Sequence, residues 1–90
     1  MAMLLVTFES KTLGKDYSPL YKAITDSSLR WWHYMDNVWI VEANISADAY
    51  ARKLFPYFTT NDRLLVVRIT AESQGWLPKE AWDWLRSRNY

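Results

Sequence analysis

Apolar residues along this chain recur with a period that switches repeatedly between two and about 3.6, so strands and helices are expected to alternate. Met3 to Glu9 is a short apolar run without Gly or Pro and predicts a first strand. Ser10 to Asp16 is polar, contains Gly14 and predicts a loop. Tyr17 to Leu29 places Leu20 and Ile24 on one stripe, with Asp16 or Ser18 as cap and Pro19 in the first turn, which predicts a helix. Arg30–Met35 and Val38–Ala43 are rich in aromatic and β-branched residues and flank Asp36-Asn37. That pair tolerates the positive φ of a tight turn, so the segment predicts a β-hairpin. Ser46 can cap a second helix carrying Ala47, Tyr50, Ala51, Leu54 and Phe58, with Pro56 shortening or kinking its last turn. Residues 59–62 lead into a fourth strand, Arg63 to Thr70. Gly75 and Pro78 frame a third helix, Pro78 to Arg88, with Trp76, Leu77, Ala81, Trp84 and Leu85 as its apolar stripe.

The order β-α-β-β-α-β followed by a helix is that of the split βαβ, ferredoxin-like arrangement. It predicts one α+β domain over residues 1–90, an antiparallel sheet with two helices on one face and an added C-terminal helix. The first and third strands are expected in the centre and the second and fourth at the edges. With Asp36-Asn37 as the turn, the opposed pairs are Met35/Val38, Tyr34/Trp39, His33/Ile40, Trp32/Val41 and Trp31/Glu42, and members of a pair share a face. Leu4, Val6, Phe8, Trp39, Val41, Ala43, Leu65, Val67 and Ile69 are assigned to the helix-packed face. The other face then holds Leu5, Thr7, Glu9, Trp31, His33, Met35, Val38, Ile40, Glu42, Leu64, Val66 and Arg68. It is too apolar to be left in water. A second copy of the chain and the C-terminal helix are the two candidate covers, and the size of the patch favours the second copy. Leu5, Thr7, Met35, Val38, Ile40, Leu64 and Val66 are the expected dimer interface, with Trp31, His33 and Arg68 as binding residues around it. An Ile40→Lys change is expected to dissociate the dimer.

Composition narrows the function classes. Half the residues are hydrophobic and 17% aromatic, which excludes a disordered chain. The formal charge of +1 disfavours a strongly electrostatic nucleic-acid binder. With no Cys and one His, neither a disulfide framework nor a thiolate or His-rich metal centre can be built. The absence of Cys suits a reducing cytoplasm. Met1 to Phe8 lacks a basic leader region and is too short to span a bilayer, so no membrane association is expected. RNA-recognition domains stack bases on aromatic side chains of the central strands of the open face. Leu5, Thr7, Val38 and Ile40 stand there instead, which disfavours that reading.

Leu4-Leu5-Val6-Thr7-Phe8-Glu9, the Trp31-Trp32-His33-Tyr34 hairpin, Asn61-Asp62-Arg63-Leu64-Leu65-Val66 and Gly75-Trp76-Leu77-Pro78-Lys79-Glu80-Ala81-Trp82 resemble the small bacterial and phage proteins of the SinR family. Those in turn resemble the ferredoxin-like CRISPR-associated partner of the spacer integrase and VapD-like ribonucleases. The resemblance implies a homodimeric binding module for a nucleic acid or nucleotide, in a mobile-element or host-defence setting. Its alternative implication is a ribonuclease dependent on Mg2+ or Mn2+, in which paired carboxylates across the dimer axis hold the metal. Proposed nucleases of that superfamily carry Asp at the end of the first strand, where this chain has Glu9, the candidate catalytic and metal-binding residue; His33, of the residue type that titrates near neutrality, is a weaker general acid or base candidate. The longer side chain changes the ligand reach that a hard cation demands. No other cofactor is expected.

Overall fold

The computed structural model describes residues 2–10, 16–88 and 90. Most of the loop expected after the first strand, residues 11–15, therefore lies outside the described residues. Strand β1 spans Ala2–Glu9, and helix α1 spans Ser18–Asp26. The hairpin strands are β2, Arg30–Met35, and β3, Val38–Ala43. Helix α2 spans Ala47–Leu54, β4 spans Arg63–Arg68 and helix α3 spans Lys79–Arg86. The sheet order is β2-β3-β1-β4, and each neighbouring pair is antiparallel. The molecule is thus an α+β fold with β1 and β3 at the centre of a four-stranded sheet.

Local chemistry explains the element ends. The Ser18 amide donates to Asp16 Oδ1 at 2.9 Å, which holds that carboxyl below its usual value, and Pro19 opens α1. The helix ends earlier than its apolar period suggests. Ser28 Oγ donates back to the Ile24 carbonyl at 2.6 Å, and the Leu29 amide then pairs with the Glu42 carbonyl at 2.7 Å, drawing the chain into the sheet. Ser46 caps α2 by accepting from the Ala49 amide at 3.1 Å. Pro56 converts the continuation of α2 into a single 3-10 turn, Phe55–Tyr57, so Phe58 lies beyond the helix. Pro78 occupies the N-cap of α3 and not its first helical position.

One face of the sheet carries the larger core. Leu4, Val6, Phe8, Trp39, Val41 and Ala43 pack there against Leu20 and Ile24 of α1 and Tyr50 and Leu54 of α2. Burying each aliphatic side chain stabilises the fold by about 1.5–3 kcal/mol before entropy is counted. The Tyr50 hydroxyl, fully buried, donates to the Ile24 carbonyl at 3.0 Å and meets Ser28 Oγ at 2.8 Å, tying the two helices together.

Two sheet-face expectations are overturned. In the hairpin, Trp32 pairs with Ile40 and Met35 with Val38, so two residues of β2, His33 and Tyr34, stand against the single Trp39 of β3. This β-bulge slips Trp31, Trp32 and His33 by one residue relative to an unbroken ladder, and a slip of one reverses the face of each side chain. Trp31 and His33 consequently turn to the α1/α2 side, and Trp32 to the other. On β4, Val66 pairs with Val6 and Leu64 with Phe8, so Leu64, Val66 and Arg68 share the helix face while Leu65 and Val67 point away. Leu64 and Val66 pack against the larger core.

The second face is covered in part by the chain itself. Met3, Trp32 and Ile40 are buried there by Ala81 and Leu85 of α3, with Leu77, Trp82 and Trp84 packed alongside. Trp32 Nε1 donates to the Ala81 carbonyl at 3.2 Å, and Arg88 Nε lies 3.5 Å from Glu42 Oε2. Trp76 departs from the expected stripe and is fully exposed, its place against the sheet taken by Trp82.

Candidate functional site

The α3 side of the sheet carries an apolar groove. Helix α3 lies over the β2 and β3 half, because its apolar residues Ala81 and Leu85 meet Trp32 and Ile40. The segment 70–78 that delivers it has no regular secondary structure. Between them a groove of about 330 Å3 is floored by Leu5, Val38 and Ile40, walled by Met35, Trp82 and Leu85, and rimmed by Trp76. Beside it Leu65 and Val67, opposite Thr7 and Leu5, remain 55% and 37% exposed, and Met35 is 51% exposed. Apolar side chains in this density on one face are the usual mark of an interaction site.

The expected interface residues divide between the two faces. Leu5, Thr7, Met35 and Val38 lie on the α3 side and are partly exposed. Ile40 is on the same side but only 8% exposed, because α3 sits on it. Leu64 and Val66 are on the opposite face. The reason they were misplaced is that residues 64–67 are apolar without interruption, and a continuous run gives alternation no parity to fix.

The expected binding residues all turn to the helix side. The His33 ring stacks on Trp39 with centroids 3.7 Å apart and planes 11° from parallel. His33 Nε2 is 3.0 Å from the Asp36 carbonyl, which can only accept, so this nitrogen carries the hydrogen. Trp31 lies tilted over the other part of Trp39 at 5.6 Å, and Tyr21 of α1 approaches the same ring at 5.6 Å. The four rings form a wall along the β2 edge. Trp39 Nε1 is buried within it with no hydrogen-bond partner among the described residues. Arg68 lies across β1 from this edge and lines a separate cleft with Asn44 and Ser46 at the start of α2.

Glu9 ends β1 on the α3 side, opposite Arg63, and lines a cleft of about 460 Å3 with Thr7, Asn37 and Arg63. Nearby Asp62, buried, accepts from Ser10 Oγ and the Thr59 amide, each at 2.9 Å, and so serves to fix the 59–62 turn. Among the described residues no three His, Cys, Asp or Glu side chains are grouped to hold a metal ion. The groove and the exposure of Trp76 escaped sequence reasoning, since they depend on where α3 lands. The nearest signal was the pair of breakers, Gly75 and Pro78, that isolates Trp76 from the helix.

Among the described residues no helix is long and apolar enough to cross a membrane. Comparison with known proteins gave no matching family model, no similar curated protein and no similar solved structure.

Proposed function

We propose that this chain is a homodimeric, ferredoxin-like binding module of the SinR type, acting in the cytoplasm on a nucleic acid or nucleotide. The observation that carries the reading is the apolar surface left on the α3 side after the chain has covered what it can: Met35, Leu65, Val67 and Trp76 around an apolar groove. Burial of such a surface is worth roughly 25 cal/mol per Å2, a driving force a second copy can use. The strand order β2-β3-β1-β4, which reads β4-β1-β3-β2 from the other edge, supports the ferredoxin-like assignment. Light scattering on the full chain across micromolar concentrations tests the dimer. Fluorescence anisotropy with labelled single-stranded RNA, hairpin RNA and DNA tests the ligand class. A monomer at 100 micromolar would remove the dimer, and no anisotropy change with any probe would remove the nucleic-acid part.

A second reading is a divalent-metal ribonuclease using Glu9 from two copies. It is favoured by one observation: alternation along β1 puts Glu9 on the same face as Leu5 and Thr7, so pairing through that face carries both Glu9 carboxylates into or beside the interface. Cleavage of RNA that requires Mg2+ or Mn2+ and disappears in Glu9→Gln is the expected result of this reading. Equal cleavage by the variant, or none by the wild type at any metal concentration, would exclude it.

A further inference from the structure

Trp76 is 100% exposed, although tryptophan has the largest apolar side chain and the chain holds an apolar groove beside it. Trp76 borders that groove without being buried in it. Its neighbour Leu77 packs into the smaller core and Pro78 caps α3 directly afterwards, while Trp76 stays in solvent. The anchor and the socket therefore lie side by side on one face, and neither is satisfied within the chain.

Resting on the dimer reading above, we infer that Trp76 is the anchor of the dimer: the indole of each copy inserts into the Leu5, Met35, Val38 and Trp82 groove of the other. A two-fold interface requires self-complementarity, in which residue i meets j and j meets i. An exposed anchor beside an apolar groove on the same face meets that requirement twice, once in each direction across the axis. The area agrees. A whole aromatic side chain presents ~150–250 Å2, and half-exposed Met35 and Leu65 with Val67 and the groove floor bring the patch to roughly 400–500 Å2 of apolar surface. A standard interface takes ~800 Å2 from each partner and is a little over half apolar. Trp is also the residue type most often found to dominate such interfaces when truncated.

The test is sedimentation of the full-length wild type, Trp76→Ala and Met35→Arg, each checked by circular dichroism and thermal melting. Trp76 makes no buried contact, so Trp76→Ala should fold as the wild type does; Trp76→Gln serves if it does not. The dimer dissociation constant is expected to rise about 30-fold or more in Trp76→Ala. Mixing Trp76→Ala with Met35→Arg supplies the decisive arm. Each variant alone lacks every complete anchor-and-socket contact, but the mixed pair retains one, so association should return on mixing. A wild type that is monomeric defeats the dimer reading and this inference with it. A dimeric wild type with an unchanged constant in Trp76→Ala, or with no recovery on mixing, leaves the dimer standing and overturns the role of Trp76. Binding of an unrelated protein at this groove in place of a second copy would also overturn it.

Discussion

Tyr50 shows how one side chain joins sequence pattern to fold stability. Its position on the apolar stripe of α2 buries the ring, and its hydroxyl finds the Ile24 carbonyl and Ser28 at the end of α1. Burial raises the hydroxyl pKa above the ordinary 10.0, partly opposed by the Ser28 hydrogen bond. A group whose folded pKa is raised contributes stability in full below its unfolded pKa and loses it as pH rises through the folded value. Stability should therefore hold up to about pH 10 and fall beyond it, in the range set by the ordinary value of 10.0 and the raised one. Tyr50→Phe should cost about 1 kcal/mol at neutral pH through the lost hydrogen bond, and should lack this part of the alkaline loss. Urea titrations of both proteins from pH 7 to 11 check it; parallel curves at every pH would contradict it. Ile40 is likewise defined by what packs on it. Beneath α3 a lysine there would bury an ammonium without a partner, so Ile40→Lys should destabilise the fold itself by about 3 kcal/mol or more, beyond any effect on a dimer. Leu65→Lys, at an exposed position, should leave the melting curve within about 0.5 kcal/mol of wild type while weakening self-association.

At the scale of elements, α3 and the bulge in the hairpin decide the character of the second face. The bulge puts Trp32 on that face, and Trp32 gives α3 a ring to pack on and a donor for the Ala81 carbonyl. Arg88 adds an ion pair to Glu42 and a cation–π contact at 4.3 Å to Trp84, both at the end of the helix. Deleting residues from Gly75 onward should expose Met3, Trp32 and Ile40 together. The expected outcome is binding of a hydrophobic dye, a lower melting temperature and association into larger species. A truncated chain that stays soluble, binds no dye and melts with the intact protein would show α3 to be dispensable for the fold, shifting its Trp residues toward a partner.

For the molecule as a whole, the order and type of the elements were legible in the residues, because each rests on local chemistry. The apolar run of β1, the Ser46 cap, the Asp36-Asn37 turn and the Pro56 break act within a few residues of themselves. The α+β class and the central placement of β1 and β3 follow from that order. On β1 and β3 the polar residues set the parity: Thr7 and Glu9 flank Phe8, and Glu42 lies between Val41 and Ala43, so Leu4, Val6 and Phe8 and then Trp39, Val41 and Ala43 were assigned to the face they occupy. The parity of the two edge strands, by contrast, was set by long-range packing. On β4 four consecutive apolar residues suit either face, and the choice fell to register against β1. On β2 a bulge opposite Trp39 shifted the pairing by one, a change of register that the alternation of the hairpin residues does not carry. The candidate site lay within those undecided parities. Side chains of Arg68, Trp31 and His33 went to the helix side, while Leu65, Val67 and Trp76 were left to face outward, because a surface is defined by what long-range packing fails to cover and no local period records that.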